Sequence, residues 1–131
     1  GRRHAAHHYL EEATGIKMKI AVLRNPLEQT GLTDWGAPDK MLEGDSHTQG
    51  ALLHKGEGGS SECGYWECTP GLWRCEVTRD EFCHFLEGEA QYEHDNGEVT
   101  RIGPDTAAFF PAGWSGRCRV AKTLKKVYMI R

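Results

Sequence analysis

The stretch that decides the fold runs from Asp80 to Gly116: DEFCHFLEGEAQYEHDNGEVTRIGPDTAAFFPAGWSG. It holds four short strand-like runs: Phe82–Leu86, Ala90–His94, Glu98–Ile102 and Ala107–Phe110. Turn residues separate them at Glu87-Gly88, Asp95-Asn96-Gly97, Gly103-Pro104-Asp105 and Pro111-Ala112-Gly113. Short strands at such regular spacing belong to an all-β barrel or sandwich. Asn96-Gly97 predicts a two-residue type I′ hairpin, because both central residues of that turn need positive φ.

The same pattern continues outward. Gly64–Thr69 and Trp73–Val77 precede the stretch, and Gly116–Val120 and Lys125–Ile130 follow it. Ala51–His54 is a further short strand, with GEGGSS (residues 56–61) as a loop. Ile16–Leu23 is apolar enough for a strand. Residues 26–49 read as irregular, with Trp35 expected to pin this arm onto the barrel through its large buried area. The expected division is an N-terminal tail and arm over 1–31 and one domain over 32–131. His4, His7 and His8 lie in that tail, where His4 and His8 would share one face of a helix.

Composition agrees with this reading. The chain has 131 residues, 16 of them Gly and 5 Pro, which disfavours a helical bundle. The longest mostly apolar run, Ala107–Trp114, is broken by Pro111 and Gly113, so no segment reaches the ~20 residues of a membrane helix. A net charge of −3 argues against general nucleic-acid binding. The five cysteines, Cys63, Cys68, Cys75, Cys83 and Cys118, cannot all pair. None has zinc-ribbon spacing. Reduced thiols and a cytoplasmic location are therefore expected. The start at Gly1 rather than Met points to processing, and no charged-then-apolar secretion signal follows it.

Glu81-Phe82-Cys83-His84-Phe85-Leu86-Glu87-Gly88 fits E-x6-G, and Pro111-Ala112-Gly113 follows 23 residues after Gly88. With WECTPG (residues 66–71) and KKVYMI (residues 125–130), these runs resemble the motifs of the cupin superfamily. The similarity is to small single-domain cupins like the C-terminal half of ureidoglycine aminohydrolase and the ethanolamine-utilisation cupins. The resemblance implies a jelly-roll β-barrel that assembles as a homodimer.

It also implies a metal site, G-x5-H-x-H-x3–4-E-x6-G followed by P-x-G-x2-H, which this sequence does not match. With a four-residue gap before Glu81 the histidine positions fall on Arg74 and Glu76. With a three-residue gap they fall on Cys75 and Val77. The last ligand position is Gly116. Only Glu81 is retained, so no metal cofactor is expected, although Glu76 and Glu81 with a cysteine could hold a divalent ion weakly.

Strand alternation then gives a candidate pocket of Arg74, Glu76, Glu81, Cys83, Phe85, Gly116 and Cys118. Arg74 is expected to anchor a ligand, with Glu81 as its partner and Gly116 leaving an opening. Alternatively Arg74 forms a structural ion pair, Cys83 and Cys118 fill the core, and Trp114 or a neighbouring side chain occupies the space at Gly116. His84 is expected outside the barrel.

One feature is electrostatic. Residues 117–131 carry six bases and no acid, whereas the rest of the chain has ten bases and 19 acids. Solvated outer strand faces, charge-complementary self-association and attraction of an anion all fit that asymmetry.

The leading expectation is a protein that binds a small polar or anionic metabolite without a metal. The alternatives are an enzyme of ureidoglycine aminohydrolase type with a non-standard metal site, and a dimeric interaction or structural subunit without pocket chemistry.

Overall fold

The structure, a computed structural model, describes residues 18–131. Nine strands form one curled sheet: β1 (Thr33–Gly36), β2 (Met41–Glu43), β3 (Thr48–Lys55), β4 (Glu62–Cys68), β5 (Gly71–Glu76), β6 (Glu81–His94), β7 (Val99–Ile102), β8 (Thr106–Phe110) and β9 (Ser115–Ile130). Two 3-10 turns, Pro26–Glu28 and Glu57–Gly59, are the remaining regular elements among the described residues. The all-β architecture stands as read, as a single sheet curled towards a barrel. Met18–Leu23 form no strand, and the rest of that expected element, with His4, His7 and His8, lies outside the described residues.

β6 and β9 organise the molecule. They pair antiparallel along nearly their whole length, from Glu81↔Ile130 to His94↔Gly116. β9 then has β4 on its other side for residues 124–130 and β5 for residues 115–120. β6 likewise has β8 beside residues 81–85 and β7 beside residues 90–93. Each long strand was expected as two short ones. Glu87-Gly88 proves to be an irregularity within one strand rather than a turn. The register shifts between Phe85 and Ala90, and Gly88 adopts φ +102°. A Cβ there would collide with the β9 backbone at Lys122–Leu124, so glycine permits both the bend and the close approach.

The Asn96-Gly97 hairpin joins β6 to β7 in the expected antiparallel register, but its turn differs. Gly97 N donates to His94 O (2.8 Å) and only Gly97 has positive φ. The loop is therefore three residues long, a type I turn closed by one left-handed glycine. The Asn96 side chain caps it by accepting from Glu98 N at 2.9 Å.

Residues 26–49 are less irregular than their composition indicated. β1 pairs with β3 and β2 with β5. Trp35 does pin the arm: its ring lies over Gly50 of β3, where a Cβ would collide with it.

The core lies inside the curl. Phe85, Cys83, Cys118, Cys68 and Leu124 are fully enclosed, with Tyr92, Phe110, Val120 and Tyr128 packed around them. Phe85, Tyr92 and Phe110 contact one another ring to ring, with Tyr92 and Phe110 centroids 4.8 Å apart. Such pairs add ~0.5–1.5 kcal/mol beyond the area they bury.

Candidate functional site

The inner face of the sheet carries a cavity of about 310 Å³. Its aromatic wall is Trp66, Trp73, Tyr92 and Phe110, and Cys75, Val77 and Ile130 complete the apolar lining. Polar groups enter from Lys126, Glu81, Arg79, Thr78 and Glu76.

The floor chemistry is a buried ion pair. Lys126 Nζ donates to Glu81 Oε2 at 2.6 Å, with the two side chains 11% and 18% exposed. The same ammonium lies 4.4 Å from the Trp66 ring centroid and 5.7 Å from that of Phe85. Burial disfavours the charged lysine, but the Glu81 carboxylate outweighs it and holds its pKa above the ordinary 10.5. Lys126 is therefore a fixed cation at neutral pH.

The strand parity explains its position. On β9, Leu124, Lys126, Tyr128 and Ile130 alternate inward, while Lys125, Val127 and Met129 face out. A lysine within an apolar alternation is the signal in the sequence. It was masked by Lys125, which made the pair look like a solvated strip.

Arg74 is placed differently from expectation. Cys118 is buried and lies opposite both Trp73 and Tyr92, so Trp73 and Cys75 face inward and Arg74 faces out. Arg74 forms a two-pronged bond to Asp95 (2.6 and 2.7 Å) and approaches Glu76 at 3.6 Å. Ser115 Oγ adds a third bond to Asp95, at 2.7 Å. These bonds from Arg74 and Ser115 hold the Asp95 carboxyl well below its usual range. Arg74 thus fastens the β6–β7 hairpin to β5 and is not the partner of Glu81. Glu76 reaches the rim but is half exposed and paired to Lys40 at 3.2 Å.

Cys83, Phe85 and Cys118 do point inward, as alternation required, but as enclosed core groups. Burial pushes the Cys83 and Cys75 thiols up to about 11 and the Cys118 thiol higher still. At neutral pH none is a thiolate, so none is a ready nucleophile. Gly116 leaves no opening. A Cβ there would collide with Glu93 O and stand 2.7 Å from Trp114 Cη2. His84 is outside, 2.8 Å from Asp105.

Arg79 was missed. It lines the cavity, and its Nη1 donates to Gly59 O at 2.6 Å. Among the described residues no carboxylate pairs with it. The GEGGSS loop thus has a purpose in positioning this guanidinium. The strand before it is held by Gly113 N to Val77 O (2.7 Å) and Val77 N to Trp114 O (2.8 Å), which ties the Pro111-Ala112-Gly113 turn to the cavity rim.

The ligand positions of a metal cupin can now be judged. Strand parity favours the three-residue gap, since Cys75 faces inward with Trp73 while Arg74 faces out. Val77 offers no donor, Cys75 is a protonated thiol, Gly116 is closed, and Glu81 is taken by an ammonium. A divalent ion needs about three or four N, O or S donors. These residues do not fit one, and among the described residues no group of three His, Cys, Asp or Glu side chains is placed to hold one.

The family model of the EutQ-like cupin domain matches residues 55–128, which spans both motifs and all of the cavity lining except Ile130. The chain belongs to the EutQ-like cupin family. Among solved structures, this cupin is similar to a DUF861 protein of unknown function from Pseudomonas syringae pv. tomato. The TM-score is 0.70 at 18% identity, covering 78% of this chain and 45% of that one. It is also similar to the ethanolamine utilization protein Q of Salmonella typhimurium (TM-score 0.60, 18% identity, 78% and 94% covered). A third likeness is to the EutQ protein of Clostridium difficile (0.57, 17%, 65% and 68%). At these identities the likeness carries the fold alone. The cupin spans under half the length of the Pseudomonas protein. A search of curated proteins finds no match.

Proposed function

We propose that this EutQ-like cupin binds a small anionic metabolite in the aromatic-walled cavity, with Lys126 and Arg79 supplying the positive charge that a metal supplies elsewhere in the superfamily. The observation that carries the reading is the charge balance of the lining. Two cations face the cavity, and Glu81 is the one carboxylate committed to either. Glu76 is already matched by Lys40 and Arg74. Arg79 is left to pair with a ligand, and its fork geometry suits a carboxylate or phosphate. A cavity of about 310 Å³ with four aromatic and three other apolar residues set against five polar ones has the make-up of a small-ligand site. The anchor is Arg79 with Lys126 in place of Arg74.

The test is a titration of the whole chain with benzoate and with inorganic phosphate, followed by melting temperature. A bound anion raises stability by mass action, ~2.7 kcal/mol at a hundredfold excess over Kd. Wild type is expected to shift with at least one of the two anions, and Arg79→Gln to lose that shift while melting normally by itself. An equal shift in Arg79→Gln, or no shift with either anion, overturns the reading.

A further inference from the structure

A second cavity, of about 350 Å³, lies against the same ion pair and shares Trp66, Glu81, Lys126 and Ile130 with the first. Its own members are Trp35, Glu62 and Tyr128. The charge balance here is reversed. Two carboxylates line it against one ammonium, and that ammonium is bound to Glu81. Glu62 accepts the Tyr128 hydroxyl at 2.7 Å, a neutral donor, and among the described residues no Lys, Arg or His pairs with it. Beside this uncompensated carboxylate stand two indole rings. Trp66 already receives the protein's own ammonium over its face, at 4.4 Å. Trp35 is 37% exposed and held over Gly50, which has no side chain to displace it.

We infer that this second cavity is a binding site for an organic cation of the alkylammonium class, held by the Glu62 carboxylate and the faces of Trp35 and Trp66. An alkylated ammonium sheds water more readily than an inorganic ion, and tryptophan faces attract it electrostatically, the more strongly as the site dries. Lys126 does not decide the sign of this cavity, because Glu81 and Glu62 together outnumber its single ammonium, whereas Arg79 adds a second cation on the other side of the pair. The Tyr128 hydroxyl, whose pKa is pushed up by burial and by Glu62, stays protonated and keeps the carboxylate oriented. The inference does not rest on the anion reading: the carboxylate that holds the cation, Glu62, and one of the two rings, Trp35, line this cavity and not the first, while Trp66 is common to both.

The experiment titrates the full chain with tetramethylammonium chloride, read by tryptophan fluorescence, with sodium chloride at equal ionic strength as reference. The expected result is a saturable change absent with sodium. Glu62→Gln should weaken it by roughly tenfold or more, and Trp35→Leu by several-fold. Glu62→Gln should keep a cooperative thermal unfolding transition and the near-ultraviolet circular dichroism of wild type, which shows that the variant is folded whatever the anions do. A change that never saturates, one that sodium reproduces, or equal affinity in folded Glu62→Gln overturns the inference.

Discussion

The two faces of the β6–β9 ribbon use the same chemistry in different surroundings. Outside, acids of β6 meet bases of β9 directly across the strands: Glu93 with Arg117 (3.0 Å), Glu89 with Lys122 (3.3 Å) and Glu87 with Lys125 (3.4 Å). Arg119 reaches Glu43 of β2 at 2.9 Å. Inside, Glu81 and Lys126 meet at 2.6 Å under the aromatic wall. The outer pairs explain the basic C-terminal strip, because most of its charge is matched within one sheet. They stand in water, with Glu89 and Lys122 54% and 70% exposed. Exposed pairs contribute ~0–1 kcal/mol each. The inner pair has been taken out of water, where breaking it leaves an uncompensated charge. What the contrast teaches is that composition records charges but not their value. Burial alone turns one acid–base pair of many into a candidate site.

The largest effect should follow from breaking the inner pair on one side. Glu81→Gln is expected to destabilise the fold by ~3–5 kcal/mol, measured by urea unfolding, because Lys126 is left buried without its carboxylate. Removing both charges together, as Glu81→Gln with Lys126→Met, is expected to recover most of that loss, since no charge remains buried. If the double variant is as unstable as the single, the pair is not the cause.

Next in size is an alkaline effect. The folded-state pKa values of Cys75 and Cys83 stand at about 11, above the ordinary 9.0. Their contribution is complete below pH 9.0 and is lost as pH rises towards 11, because the unfolded chain releases those protons first. The melting temperature should therefore fall across pH 9–11, and Cys83→Ala should show a shallower fall. Lys126 adds to the loss only above its ordinary 10.5, as its raised pKa is passed.

The smallest effect belongs to the outer face. Glu89→Gln should cost no more than ~1 kcal/mol and become indistinguishable from wild type at high salt. An outer variant that matched Glu81→Gln would erase the distinction between the faces.

Much of the fold was legible because turn chemistry and alternation are local. The runs before and after Asn96-Gly97, and those flanking Pro111-Ala112-Gly113, became strands close to where they were read. What was not legible came from contacts distant in sequence. Gly88 looked like a turn because nothing nearby reveals that β9 crosses it. Arg74 was placed on the wrong face because the gap before Glu81 could be counted two ways, and only pairing with Cys118 decides between them. Glu81 and the inward Cys83, Phe85 and Cys118 were recovered by alternation. Lys126 and Arg79 were not: one was hidden beside Lys125, and the other faces the cavity only through the GEGGSS loop.

The Lys126 ammonium stands against Glu81 in this cupin cavity, and the proposed function takes it to serve there in place of a metal ion. Elemental analysis of protein purified without chelator and then dialysed tests it most directly. The account predicts Mn, Fe, Ni and Zn all far below one equivalent per chain, in wild type and in Arg79→Gln alike. One retained equivalent of any of them, lost in Glu81→Gln, would contradict it.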